Sequence, residues 1–244
     1  MANFVLVHGA WHGAWCWQRV SEALTRQGHR AHAVTLTGVG ERAHLLSPGI
    51  TLETHIQDVL ATMEAEELSD VVLAVHSYAG MLGTAVADRL PQRLRHLVYV
   101  DAVVPVPGEA WGSTHAAETR AARIAAIAAS PTHSIPAPDA SIFGLAGGDR
   151  DWVNRRQTPH PGQPYTAALH FDVQRVASVP RTFISCTAPT LATIDAMRSR
   201  VVDPAFWDGH WLPGARTVEM ATGHDPMVSA PEALVALLLA TAGA

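Results

Sequence analysis

Residues 70–90 read DVVLAVHSYAGMLGTAVADRL. Asp70 to Val75 is a strand-length apolar run rich in valine, as expected of a strand buried within a sheet. The polar cluster His76-Ser77-Tyr78 follows it, and Gly80 to Leu90 reads as a helix. A serine therefore stands on a tight strand-to-helix bend. Such a bend raises a hydroxyl above the sheet and brings strand and helix close together, which favours small residues around it. The usual pattern places glycine two positions before and two after the serine. Here those positions hold Val75 and Ala79, with Gly80 one step later. The competing reading of Ser77 is a helix cap, a role for which serine is well suited.

Outward from this bend the chain alternates between short apolar runs and amphipathic stretches. Phe4–Val7 reads as a strand, followed by a turn rich in glycine, histidine and tryptophan. Trp17–Gln27 reads as a helix, with Gly28 just beyond its end, where a left-handed residue is favoured. Ala31–Leu36 is a second strand. Thr51 opens a helix that sets Leu52, Ile56, Val59, Leu60 and Met63 on one face. Leu94–Val100 is a fourth strand. Regular alternation is lost from Pro105 to about Pro180, a stretch holding many prolines, Gly147-Gly148 and Asp149-Arg150-Asp151. It resumes with a strand at Arg181–Cys186, a helical segment near Leu191–Arg200, a strand at Thr217–Met220 and a helix at Pro231–Leu239. The pattern predicts an α/β fold, with a mostly parallel sheet and helices on both faces. Residues 1–104 and 181–244 form the core, and 105–180 an inserted cap or lid between the fourth and fifth core strands.

Composition narrows the function classes. The chain has 244 residues, is 48% hydrophobic and 16% charged, and carries a net charge of −5. It can bury enough apolar surface to fold, and it lacks the cationic surface that nucleic-acid binding needs. Cys16 and Cys186 supply neither a disulfide framework nor a four-ligand zinc site. Free thiols and a cytoplasmic location are expected. Met1 runs directly into the first strand, so no leader is expected. The apolar tail from Ala233 is about 12 residues, short of the roughly 20 needed to span a bilayer. Fourteen histidines are scattered without metal-ligand spacing, so no metal is predicted. Gly38-Val39-Gly40 lacks the third glycine of a dinucleotide site, and no cofactor is expected. The expected partner is a small molecule. Oligomeric state stays open, with a homodimer as one reading.

On a parallel sheet, ligands sit at the carboxyl ends of the strands, so the residues that end the strands matter most. The first strand runs into His8-Gly9-Ala10, the third into His76-Ser77-Tyr78, the fourth into Asp101, and the last into Ala221-Thr222-Gly223-His224. The chain order Ser…Asp…His is that of α/β-hydrolase triads. A serine hydroxyl is a poor nucleophile unless a neutral imidazole takes its proton and a carboxylate orients that imidazole. Ser77 is therefore read as nucleophile, His224 as base and Asp101 as acid. Asp195, reaching back from the following helix, is the alternative acid. Asp225 adjoins His224 and is poorly placed to bond the same ring. The backbone N–H groups of Ala10 and Tyr78 are expected to form an oxyanion hole, with Gly9 leaving room for the substrate carbonyl. The side chains of His8 and His12 are read as packing and hydrogen bonding beneath the loop. Trp111 and Trp152, with Tyr165 and Phe171, either line a substrate pocket or pack the cap.

The segments 7–17 (VHGAWHGAWCW), 38–45 (GVGERAHL), 54–59 (THIQDV) and 70–80 resemble the plant methyl esterase and hydroxynitrile lyase group, as does Leu97-Val98-Tyr99-Val100-Asp101-Ala102 with Pro105. They look closest to its bacterial relatives, described as salicylate or pyrethroid esterases. The resemblance covers residues 4 to about 107 and 181–239, and the cap matches only loosely. It implies an α/β-hydrolase fold, no cofactor, a Ser77–His224 pair, and main-chain donors at Ala10 and Tyr78. The lyase branch carries a threonine at the position of Gly9 and a lysine after the base, where this chain has Asp225, so the resemblance favours ester hydrolysis. In the plant branch the triad acid follows the later strand, where this chain has Pro189. The expected activity is hydrolysis of a small or medium apolar carboxylic ester. The alternatives are lyase, cyclase or lactone chemistry in the same pocket, and a non-catalytic binding protein on a hydrolase scaffold.

Overall fold

The computed structural model describes residues 1–243. Six parallel strands form the central sheet: β1 (Asn3–Val7), β2 (Arg30–Val34), β3 (Val71–His76), β4 (Leu94–Val100), β5 (Arg181–Cys186) and β6 (Ala215–Met220), in the order β6-β5-β4-β3-β1-β2. Every side chain of β3 is buried, which is why its sequence is continuously apolar rather than alternating.

Helices flank this sheet or lie in the segment between its fourth and fifth strands. They are α1 (Gln18–Arg26), α2 (Leu52–Ala65), α3 (Gly80–Arg89), and, after the sheet's fourth strand, α4 (Ala117–Ala129), α5 (Gly147–Asn154), α6 (Asp195–Val201) and α7 (Pro231–Ala242), besides several shorter turns. α1 packs against α7, and α2 against α3. Thr51 caps α2 in a reciprocal arrangement with Thr54, and Gly28 follows α1 with φ +82°. β3 begins one residue later than expected because Asp70 takes a left-handed conformation, φ +56°. β2 ends at Val34, opposite the last residue of β1. Leu36, expected within that strand, instead donates its N–H to the His8 ring.

Between β4 and β5, α4 and α5 are joined by two short antiparallel ladders, Glu109–Ala110 with Ala168–Leu169 and Ser134–Ile135 with His160–Pro161. Hydrogen bonds stitch this insert to the loops at the carboxyl ends of the strands. The Trp11 indole N–H donates to the Ile135 carbonyl at 3.1 Å. Thr158 N–H donates to the Trp11 carbonyl, and His224 N–H to the Phe143 carbonyl. Among the described residues no helix is long and apolar enough to cross a membrane.

Candidate active site

The bend after β3 is built from a strained serine and two glycines beyond it. Ser77 has φ +54°, a left-handed conformation that costs a non-glycine residue on the order of 1–3 kcal/mol. Its carbonyl accepts the Val103 N–H at 2.9 Å, tying the bend to the loop after β4. A Cβ on Gly80 would lie 1.8 Å from the Val103 carbonyl oxygen. The tight approach thus falls at Gly80, while Ala79, in the usual glycine position, is accommodated. Val75 is accommodated by Gly83, whose Cβ would lie 2.8 Å from both valine methyls. The altered elbow is therefore a coupled repacking, in which the missing glycines reappear in the first turns of α3.

Gly9 sits directly against the bend. A Cβ there would lie 2.7 Å from Ser77 Cβ and 2.9 Å from His76 Nδ1. The Ala10 N–H has no hydrogen-bond partner among the described residues. Tyr78 lies in the first turn after the bend, where backbone N–H groups have no partner within the helix. His8 fixes the peptide that carries the Ala10 N–H: its Nδ1–H donates to the Gly9 carbonyl at 2.7 Å, and its Nε2 accepts the Leu36 N–H at 3.1 Å. One donor and one acceptor define a neutral ring. Burial accordingly lowers its pKa to about 3, despite the opposing Gly9 hydrogen bond. Below Tyr78, the phenol donates to His55 Nδ1 at 3.0 Å, and His55 Nε2–H donates to the Thr37 carbonyl.

Asp101 and His224 meet. His224 Nδ1 lies 2.7 Å from Asp101 Oδ2, and both residues are buried. Asp101 has φ +43°, and its Oδ1 accepts the Cys186 N–H. Arg198 on α6 contacts both carboxylate oxygens, at 2.8 and 2.9 Å. Asp195 lies outside this group, exposed and paired with Arg198. With Nδ1 engaged, Nε2 is the remaining nitrogen of the His224 ring. The ring lies 4.5 Å from that of His76, the chain neighbour of Ser77. Ser77 is half-buried, and among the described residues its hydroxyl makes no hydrogen bond.

Asp225 does not bond the His224 ring. It faces His12 Nε2 at 3.0 Å and His76 Nε2 at 3.6 Å, and His76 Nε2 also lies 2.9 Å from the His224 carbonyl. Burial, followed by the neighbouring His224 ring, drives the His76 pKa well below its usual value. His76, His224 and Asp225 present ligand atoms within 4.8 Å of one another; Asp101 engages His224 Nδ1, His12 engages Asp225 Oδ2 and the His224 carbonyl engages His76 Nε2, while His76 Nδ1 and Asp225 Oδ1 have no hydrogen-bond partner among the described residues. Sequence reasoning missed Arg198, His76 and the Asp225–His12 contact. Their partners lie about a hundred residues or more away, so no local spacing could reveal them.

Trp111 is buried beside Tyr78, with ring centroids 4.9 Å apart. Trp152 is placed elsewhere: it packs on Trp15, with Arg19 and Arg156 over its ring, and it contacts none of Ser77, Tyr78 or His224. A cavity of about 430 Å³ opens beside the loop after β1, lined by Trp11, Arg123, Ile135, Pro138 and Ile142 among others. It reaches Trp11 but not Ser77. Phe143 lies between, stacked 6.2 Å from Trp11 and 5.7 Å from the His224 ring.

A strand-end serine on a sharp bend, a histidine–aspartate pair and an unpartnered loop N–H on a wholly parallel sheet define an α/β hydrolase. Residues 4–237 match the model of the alpha/beta hydrolase family, and the chain belongs to that family. It is 40% identical to a carbendazim hydrolyzing esterase of Nocardioides sp. (strain SG-4G), over 98% of this chain and 99% of that one. It is 26% identical to methylesterase 7 of Arabidopsis thaliana, over 97% and 95% of the two chains. Among solved structures, an extracellular alpha/beta-hydrolase from a Paenibacillus species superimposes with a TM-score of 0.82 at 20% identity, over 99% of each chain. A methylesterase from Arabidopsis superimposes with a TM-score of 0.77 at 20% identity, covering 100% of this chain and 99% of that one.

Proposed function

We propose that the protein hydrolyses a small or medium apolar carboxylic ester through a Ser77–His224–Asp101 triad and an acyl-enzyme. Its enzyme class, carboxylic ester hydrolase, follows from family membership and from esterase relatives aligned over nearly the whole chain. The triad, the oxyanion donors and the substrate size are our reading. The observation that carries it is the 2.7 Å contact between His224 Nδ1 and Asp101 Oδ2 beside a left-handed Ser77.

In this reading Ser77 Oγ attacks the ester carbonyl carbon while its proton passes to His224 Nε2. Asp101 holds the ring in the required tautomer and stabilises the imidazolium that forms. The oxyanion is held by the Ala10 and Tyr78 N–H groups. Collapse expels the alcohol, which takes the proton from His224. Water then repeats the sequence on the acyl-enzyme and releases the acid. Residues 105–180 act as the cap. A fluorophosphonate should label the protein once, at Ser77, and Ser77→Ala should lower turnover of an activated aryl ester by several orders of magnitude. Labelling elsewhere, or undiminished turnover in Ser77→Ala, would remove Ser77 from the reaction.

A further inference from the structure

His8 and His12 lie on the same loop, both buried, but their ring nitrogens face different partners. His8 meets one donor and one acceptor, as described. His12 Nδ1 lies 2.8 Å from the Ala10 carbonyl oxygen, and Nε2 lies 3.0 Å from Asp225 Oδ2. A carbonyl can only accept, so Nδ1 carries a proton. A carboxylate also accepts, so Nε2 carries one too, and the ring is an imidazolium. Two further features agree. The ring stacks on the Trp15 indole, with centroids 5.2 Å apart and planes 15° apart, a face that attracts a cation. Burial lowers the pKa of His12, yet Asp225, through charge and hydrogen bond, carries it above the usual value. Burial likewise opposes ionisation of Asp225, but His12 holds its pKa down to about 2.

The pair joins two loops that are 213 residues apart in sequence. One end grips the carbonyl of Ala10, the residue whose N–H is the first oxyanion donor. The next residue, Trp11, has φ +67°, so the loop is bent into a conformation that needs holding. The other end grips the residue after the base. We propose that His12 and Asp225 form a buried imidazolium–carboxylate strut that sets the separation between oxyanion donor and base, which makes His12 a positioning residue for the reaction. The catalytic part of this inference rests on the triad proposed above, whereas the charge state of His12 does not.

The experiment has two readouts. Side-chain 15N NMR of the histidine-labelled protein at about pH 7.5, a unit above the ordinary histidine value of about 6.5, should show one ring with both nitrogens protonated. His12→Gln should remove that signal, and Asp225→Asn should convert it to a neutral tautomer. A His12 ring with one bare nitrogen in the wild-type protein overturns the strut, and this measurement needs no variant to fold. In steady-state hydrolysis, His12→Gln and Asp225→Asn should each lower kcat on the order of ten- to a hundredfold, below the 100- to 1,000-fold cost of deleting an oxyanion donor outright, with KM little changed. The double variant should be no worse than either single one. Unreduced kcat in both variants, or a loss confined to KM, overturns the positioning role. A parallel Ser77→Ala assay separates the two failures, because turnover surviving there strikes the triad and leaves the NMR result standing.

Discussion

Val75 and Gly83 are fitted to one another: the two valine methyls occupy the space that a side chain on the helix would need, at 2.8 Å from a Cβ placed there. Gly83→Ala would normally gain about 1 kcal/mol of helix propensity. Here it must displace Val75 and Leu97, and overpacking of this kind costs about 1–3 kcal/mol. The net effect should be a fall in Tm of a few degrees in thermal denaturation. Val75→Ala added to Gly83→Ala should restore most of the loss. A Gly83→Ala protein more stable than the parent would show that the two positions are not coupled.

Asp101 and Asp195 share Arg198 but differ in burial, and this separates their roles. Asp101→Asn should lower kcat on an activated aryl ester by roughly a thousandfold or more, the scale seen when a triad acid loses its charge. Asp195→Asn removes only an exposed contact to Arg198 and should change kcat less than about fivefold, as weak surface pairs do. Steady-state rates of the two variants, compared side by side, identify the acid. Equal losses would mean that Arg198 placement, rather than the Asp101–His224 contact, limits turnover.

Gly9 leaves no room for a side chain beside Ser77. In Gly9→Ala the new methyl would meet Ser77 Cβ at 2.7 Å, so either the serine or the oxyanion loop must move. Misplacement of about 1 Å can cost a hundredfold in rate. Fluorophosphonate labelling of Ser77 should slow by at least that order, and the slowing is read from the labelling rate constant. The same contact would oppose the threonine that the lyase branch carries at this position.

Buried neutral histidines should make the fold sensitive to mild acid. Burial holds His8 to a pKa of about 3, and His76 and His160 well below the usual value. In the unfolded chain each regains about 6.5. As pH falls below about 6.5 the unfolded state binds protons that the folded state refuses, so stability falls by about 1.4 kcal/mol per pH unit for each such histidine. The Asp225 carboxylate has the opposite placement: its contribution is present above the unfolded value and is lost only as pH falls through about 2, below this window. The raised pKa of His12 acts above 6.5, where its contribution fades as pH rises through the folded value. Tm measured from pH 7 down to about 4.5 should therefore drop steeply, and His8→Asn should drop less steeply than the parent. A flat profile would show that these rings are not held neutral.

Legibility in the sequence followed the range of the forces involved. Leu94–Val100 and Arg181–Cys186 were legible at both ends from their place in the alternation of strands and helices, although Arg95, His96, Arg181, Thr182 and Ser185 interrupt their apolar character. Thr51 was legible as a helix start because capping is decided within four residues. Ser77, Asp101 and His224 stood out as candidates because each falls at or just after the end of a strand. What compensates for Val75 was hidden, since Gly83 matters only once α3 lies across β3. The Arg198–Asp101 and His12–Asp225 contacts were hidden for the same reason: they join segments that sequence spacing cannot relate. Trp152 stayed ambiguous, because an aromatic residue in this stretch reads the same whether it faces a ligand or packs, as here, on Trp15.

The segment between β4 and β5 is hydrogen-bonded to the two loops that carry Trp11 and His224, through the Trp11 indole N–H and carbonyl and the His224 backbone N–H. It is thus not a detachable cover. Exchanging it wholesale for a relative's would also disturb the placement of Trp11 and His224, unless the Thr158 N–H and the carbonyls of Ile135 and Phe143 were reproduced.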